Sequence, residues 1–314
     1  MQRFQADTTP PAALVNDFTA RLYRHLARNL VPGPLTYGFE YEFLPVEVMT
    51  PERVAEVAAV LPGLGYVQLT DGSFGAADGL HIDFEPGGQL EYGSPPLLAD
   101  ERGRFGALVE HLVATNTEIE RLTGIRYEAR PFIPGRVETP LCLTSPRYRA
   151  MHDFFTANGG RGREMMKATA AVHLHVRLRR LDELIPLYLL LNRLARQEDF
   201  AMSSERRVIW NDTEPSRCLI APPPPAEHDD KGLLRHLVAH ALAARDLERR
   251  IPFFAREKHD FAAFLVHLTT IFTAVRLNLK GPTFELRTLD SQAPALFVRR
   301  WHAFTTAVET ALYH

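Results

Sequence analysis

The sequence predicts an α+β domain, an antiparallel sheet with helices behind it and a polar concave face in front. Two observations carry that expectation. Four separate segments alternate apolar and charged residues, whereas the strands of a buried parallel sheet read as continuous apolar runs. Between them lie helical patterns bounded by proline and glycine, with no internal repeat and no linker long enough to divide residues 1–314 into two domains.

Pro11–Leu30 places Leu14, Phe18, Leu22 and Leu26 at helical spacing, and Pro32-Gly33-Pro34 ends the helix. Tyr37–Leu44 then alternates strictly, with Phe39, Tyr41 and Phe43 on one face and Gly38, Glu40 and Glu42 on the other. Thr50-Pro51-Glu52 is a helix start, a capping threonine followed by proline in the first turn, and that helix stops near Pro62-Gly63. A strand is expected over Tyr66–Leu69, with turns at Asp71-Gly72 and Asp78-Gly79. His81–Pro95 reads as extended chain kinked at Pro86-Gly87-Gly88. Asp83, Glu85, Gln89 and Glu91 share one of its faces, and Ile82, Phe84, Leu90 and Tyr92 the other.

Asp100–Thr123 is a long helix stopped by Gly124, and Ser145-Pro146 begins another that runs to Asn158. Arg161–Glu164 reads as a polar loop. Ala171–Leu178 sets Val172, Leu174 and Val176 against His173, His175 and Arg177. Leu181–Met202 is helical, Arg206–Arg217 irregular and Pro222–Pro225 a stiff surface loop. Helical patterns follow over Asp229–Arg249 and Asp260–Phe272. Thr283–Leu289 opposes Glu285 and Arg287 to Phe284 and Leu286, and Pro294–Tyr313 closes the chain as a helix.

Composition narrows the function. With 46% hydrophobic and 24% charged residues the chain is ordinary globular protein. A net charge of −2 and no basic tract argue against nucleic acid as a partner. Two cysteines, Cys142 and Cys218, are too few for a disulfide scaffold and wrongly spaced for a zinc module. The N-terminus lacks the apolar core of a signal peptide, and the apolar run at Ile185–Leu191 is too short to span a bilayer. A cytoplasmic protein that handles small molecules, with no membrane partner and its oligomeric state open, is the expectation.

The chemistry lies on the charged strand faces: Glu40, Glu42, Asp83, Glu85, Glu91, His173, His175, Glu285 and Arg287. Any one of these segments alone reads as a solvated strand face. Four together present more carboxylates than one divalent ion neutralises, a donor set that suits Mg²⁺ or Mn²⁺ and more than one ion. His173 and His175 also fit a structural pair, or a zinc pair in a hydrolase. Phosphate chemistry is the natural use of such ions, yet no phosphate-binding glycine loop is present. Arg206, Arg207 and Arg217 around Trp210 are the densest cationic group near a polar segment.

Phe84-Glu85-Pro86-Gly87-Gly88-Gln89-Leu90-Glu91 resembles the Glu-Pro-Gly-Gly-Gln-Phe-Glu signature of the glutamate–cysteine ligases, plant and proteobacterial branch. The likeness continues in order: Gly38-Phe39-Glu40-Tyr41-Glu42, Pro146-Arg147-Tyr148, Glu164-Met165-Met166, Ile209-Trp210-Asn211-Asp212-Thr213, His267-Leu268-Thr269-Thr270-Ile271-Phe272 and Glu285-Leu286-Arg287. The resemblance implies a glutamine-synthetase-like sheet lining a funnel, and an ATP-dependent carboxylate–amine ligase working through an acyl phosphate. It implies metal ligands at Glu40, Glu42, Glu85, Glu91 and Glu285, and His173 looks like the metal ligand of the other bacterial branch. Gln89 and Arg206, with Trp210 and Lys167 beside them, would meet substrate. Arg287, Arg276 and Arg217 would meet ATP, and Arg287 and Glu85 would be catalytic. Where that branch has Met-Met-Leu-Arg, this chain has Met165-Met166-Lys167-Ala168. A sister ligase with other substrates therefore stands beside glutamate–cysteine ligase, and a non-catalytic metal- and nucleotide-binding module is the third reading.

Overall fold

A computed structural model describes residues 9–219 and 228–313, so the loop expected at Pro222–Pro225 lies outside the described residues. Among the described residues, nine strands form one antiparallel sheet. They are β1 (Tyr37–Pro45), β2 (Val67–Gln68), β3 (Phe74–Gly75), β4 (His81–Phe84), β5 (Leu90–Gly93), β6 (Tyr127–Glu128), β7 (Ala171–Arg177), β8 (Val275–Asn278) and β9 (Thr283–Asp290). Their order is β2-β3-β4-β5-β1-β7-β9-β8, and β6 pairs with the far end of β1. The helices are α1 (Ala12–Asn29), α2 (Pro51–Val60), α3 (Arg102–Thr123), α4 (Pro146–Asn158), α5 (Gly162–Ala168), α6 (Leu184–Leu194), α7 (Ser204–Asn211), α8 (Pro215–Cys218), α9 (Asp230–Ala243), α10 (Phe261–Leu268) and α11 (Pro294–Tyr313).

Alternation in β1 fixes which way the sheet faces. Phe39, Tyr41 and Phe43 are at most 4% exposed and pack on the helices behind. Phe39 meets Phe297 of α11 edge-on at 5.2 Å, and Phe105 of α3 stacks on Trp301 of α11 at 4.6 Å. A slip of one residue would turn these rings to the front, so burial of the back sets the register of the charged side. β1 is hydrogen-bonded on both flanks. Glu42 stands opposite Glu91 of β5, and Glu40 opposite His173 of β7. Residues opposite one another on antiparallel strands have neighbouring side chains, and this crowds the acidic groups together.

The stretch read as one kinked extended segment is a hairpin. The Glu85 N–H donates to the Gln89 carbonyl at 2.9 Å and the Gly88 N–H to the Glu85 carbonyl at 2.8 Å, so β4 turns back and pairs with β5. Gly88 has φ +83°, which disfavours other residues. Gly87 is needed for a different reason: a Cβ there would lie 2.5 Å from the Lys167 carbonyl oxygen of α5. Backbone cannot swing aside as a side chain can. Gly87→Ala is therefore expected to lower stability by roughly 1–3 kcal/mol, the usual range for overpacking. An unchanged Tm would show that α5 moves freely.

Other elements differ from expectation at their ends. Arg161–Glu164 leads into α5 instead of forming a loop. Arg161 Nε and Glu164 lie 2.5 Å apart, one turn along the chain, and Gly162 has no side chain to collide with Phe155. Arg206–Arg217 is not irregular but holds α7 and α8. Ser203 caps α7 by accepting from the Arg206 N–H at 3.4 Å. The helix expected over Leu181–Met202 ends as α6 at Leu194, and the turns that follow carry Phe200 into the core, where it is 3% exposed. Helices α9 and α10 stop at Ala243 and Leu268, short of the expected Arg249 and Phe272.

Candidate active site

The charged faces of β1, β5 and β7 line a cavity of ≈ 210 Å³. Glu40, Glu91 and His173 each offer one donor atom there, all within 4.8 Å of one another. Glu42 and Glu85 line the same cavity. His173 Nδ1 lies 2.7 Å from Glu40 Oε2, and its Nε2 lies 3.7 Å from Glu42 Oε1. His175, one pleat along, puts Nε2 at 3.5 Å from the other Glu40 oxygen.

Electrostatics separates these carboxyls into two kinds. Burial disfavours charge on Glu40, but His175 and His173 outweigh it and hold its carboxyl well below the usual range. The others have no such help. Burial pushes Glu42 up to about 7, although the Ala171 N–H at 2.7 Å and the nearby Arg287 and Arg206 favour its charge. Glu85 is pushed up to about 8 by burial and then by Glu42, with Arg147 opposing. Glu91 rises well above the normal range through burial, then Glu40, Glu85 and Glu42. Burial, followed by Arg287, pushes His173 down to about 4, so it is a neutral imidazole able to ligate.

Three elevated carboxyls around one ionised carboxylate and one neutral histidine form a donor set short of positive charge. Hard, oxygen-rich sets of this kind fit Mg²⁺, or Mn²⁺, which accepts imidazole more readily than Ca²⁺ does. A cation bound only by the folded chain stabilises it by about 2.7 kcal/mol at a hundredfold excess over Kd. Millimolar Mg²⁺ or Mn²⁺ is accordingly expected to raise Tm by several degrees, with chelator restoring the original value. The absence of any shift with either ion would remove the metal reading.

The remaining expected residues make hydrogen bonds within the fold. Glu285 is fully buried and already saturated. It accepts from Arg276 Nε at 2.7 Å, Arg287 Nη1 at 3.0 Å and Asn278 Nδ2 at 2.7 Å. Burial opposes its charge, but Arg276, His175 and Arg287 prevail and bring it down to about 2. It stands apart from the Glu40, Glu91 and His173 cluster, and it anchors Arg276 and Arg287, both of which line the cavity. Gln89 also lines it, but its side chain is spent within the fold. Its Oε1 accepts from the Gly87 N–H at 2.8 Å, and its Nε2 donates to the Met166 and Thr169 carbonyls at 3.1 and 3.2 Å.

Arg206 borders the cavity, yet its guanidinium donates to the carbonyls of Ala170, Leu289, Arg287 and Thr288 and lies 3.0 Å from Asp290. Lys167 and Arg217 do not reach the cavity. The Lys167 ammonium donates to the Val137 and Thr139 carbonyls. Arg217 is fully buried on Thr270 and the Arg245 carbonyl, over the Phe154 ring. A cation so committed is a strut, because phosphate would have to displace bonds already made in the interior. Trp210 lines the cavity as expected. Arg147, Tyr148, Met151, Met165, Met166 and Phe272 line it too, and sequence reasoning assigned them no role. The Pro146-Arg147-Tyr148 match was the available signal for the first two.

No curated protein matches the chain. Against models of protein families, residues 36–195 match the one described as Glutamate-cysteine ligase family 2 (GCS2), just over half of the sequence. The matched span carries Glu40, Glu42, Glu85, Gln89, Glu91 and His173, the hairpin and the two strands that flank β1. With its mostly antiparallel sheet, helical backing and acidic front, the chain belongs to glutamate-cysteine ligase family 2.

Proposed function

We propose that the protein is an ATP-dependent carboxylate–amine ligase, with residues 1–314 as one catalytic domain and the cytoplasm as its compartment. Family membership supports amide-bond formation from small molecules such as amino acids. The observation that carries the finer reading is the meeting, in one cavity, of the Glu40, Glu91 and His173 cluster with Arg276 and Arg287 on their Glu285 anchor. A second cavity of ≈ 620 Å³ shares Glu40 with the first and lies in the usual size range for ligands of nucleotide dimensions.

In this reading a substrate carboxylate oxygen attacks the γ-phosphorus of ATP, ADP leaves, and an acyl phosphate results. The amine of the second substrate then attacks the acyl carbon, phosphate leaves, and the amine gives up a proton. Glu40, Glu42, Glu85, Glu91 and His173 would hold one or more divalent ions. Such ions neutralise the phosphoryl oxygens, the charge stabilisation on which phosphoryl transfer chiefly depends. Arg287 and Arg276, fixed by Glu285, add positive charge to the same wall with little freedom left to lose. Trp210 contributes an apolar surface, and Gln89 shapes the turn that carries Glu85 and Glu91.

The test is incubation of purified protein with ATP, Mg²⁺ and pairs of amino acids, reading phosphate release and product mass. Amino-acid-dependent phosphate release with a product of condensed mass supports the reading. Nucleotide and metal binding without turnover across a broad panel would leave a binding module.

A further inference from the structure

Beside its acidic strands, the cavity has an apolar wall. Met151, Met166, Trp210 and Phe272 are each at most 9% exposed, and half-buried Met165 and Tyr148 extend the surface. These side chains form a small hydrophobic cluster with Phe154, Phe155 and Cys218, distinct from the main core behind the sheet. Most cations on the lining have other work. Arg206 is held by four carbonyls and Asp290. Arg276 and Arg287 are anchored on Glu285, and in the ligase reading they, with the unpartnered Arg287 Nε, serve the phosphoryl groups. Among the described arginines lining the cavity, that leaves Arg147. It is exposed, and its guanidinium donates to the Thr269 carbonyl at 3.3 Å.

One loosely held arginine can take one spectator carboxylate by its planar fork. A second carboxylate placed on methionine and aromatic side chains would be desolvated with no partner. We propose that the amine substrate is an amino acid with a single carboxylate, seated on Arg147, and an apolar side chain of methionine, leucine or phenylalanine size, seated on the wall of Met151, Met165, Met166, Trp210 and Phe272. With that carboxylate on Arg147, the group left to react is the amine. The inference rests on the ligase reading and adds the class of one substrate.

The experiment measures kcat/KM for phosphate release with the full chain, ATP, Mg²⁺ and a fixed mixture of carboxylate donors, varying the amine. Methionine, leucine and phenylalanine are expected to exceed aspartate and glutamate by about 100-fold, since a single methylene in an apolar pocket is worth about 10–200-fold. Met165→Arg places a second cation on a half-buried stretch of the wall. It is expected to raise kcat/KM for aspartate at least about tenfold, through KM, and to lower it for methionine. Robust ligation that favours aspartate, glutamate, serine or glycine over the apolar amines overturns this inference and leaves the ligase reading standing. An unchanged preference in a folded, active Met165→Arg variant overturns it too. No amine-dependent phosphate release with any amino acid removes both.

Discussion

Replacing Glu85 by glutamine is expected to abolish ligation and at the same time to stabilise the metal-free protein. The two effects have one cause. Glu85 lines the cavity among Glu42, Glu40 and Asp83, and burial followed by those charges raises its carboxyl to about 8. A carboxyl raised in the folded state costs stability above its unfolded value near 4.5, increasingly up to the folded value. Neutral glutamine of the same shape removes that cost, which at pH 8 is roughly 1–3 kcal/mol at about 1.4 kcal/mol per unit once the open cavity is allowed for. Tm of the metal-free variant should rise by several degrees. The metal-induced shift should shrink, and turnover should fall by about 100-fold or more, as when other preorganised charge-stabilising groups are lost. Wild-type turnover in Glu85→Gln would take Glu85 out of the site.

The largest loss of stability is expected at Arg206. Its guanidinium spans the carbonyls of Ala170, Leu289, Arg287 and Thr288 and faces Asp290, tying α7 to β9 and to the residue before β7. Arg206→Met keeps most of the volume but takes the cation from half-buried Asp290, which retains only the Ser203 N–H, and the side-chain donor from the Leu289, Arg287 and Thr288 carbonyls. Breaking one side of a buried pair costs about 3–5 kcal/mol, which at roughly 2–4 °C per kcal/mol lowers Tm by about 6–20 °C. A residue that held substrate would behave differently, with a near-native Tm and a raised KM. That result would return Arg206 to substrate binding.

The contrast between these two residues shows what the sequence makes legible. Glu40, Glu42, Glu91 and His173 were readable because a strand has a period of two, and burial of Phe39 and Tyr41 leaves their neighbours only one face to occupy. β1 and β9 were legible for the same reason, and α11 from its helical spacing. β3 and β6 have two residues each and show no period. The arginines were harder, because charge alone does not say whether a guanidinium faces a ligand or a carbonyl. Arg206, Arg217 and Lys167 all turned inward to satisfy acceptors in loops and at the ends of strands and helices, and those acceptors come from residues 28 to 83 positions away. The partners of Glu285 were hidden in the same way, since Arg276 and Asn278 come from the adjoining strand. Ser203, the cap that begins α7, was a local signal that could have been read.

The small hydrophobic cluster along the cavity has a consequence for how such a protein can change over time. Its side chains pack mainly on one another, on α4, α5 and α7, and not within the main core that joins the sheet to α3 and α11. Substitutions in separate, non-contacting clusters affect stability nearly additively. Selection can therefore rewrite the apolar wall one residue at a time while the acidic bed on β1, β5 and β7 stays in register. Acceptance of new substrates and retention of the acidic bed are, in this architecture, separately inheritable.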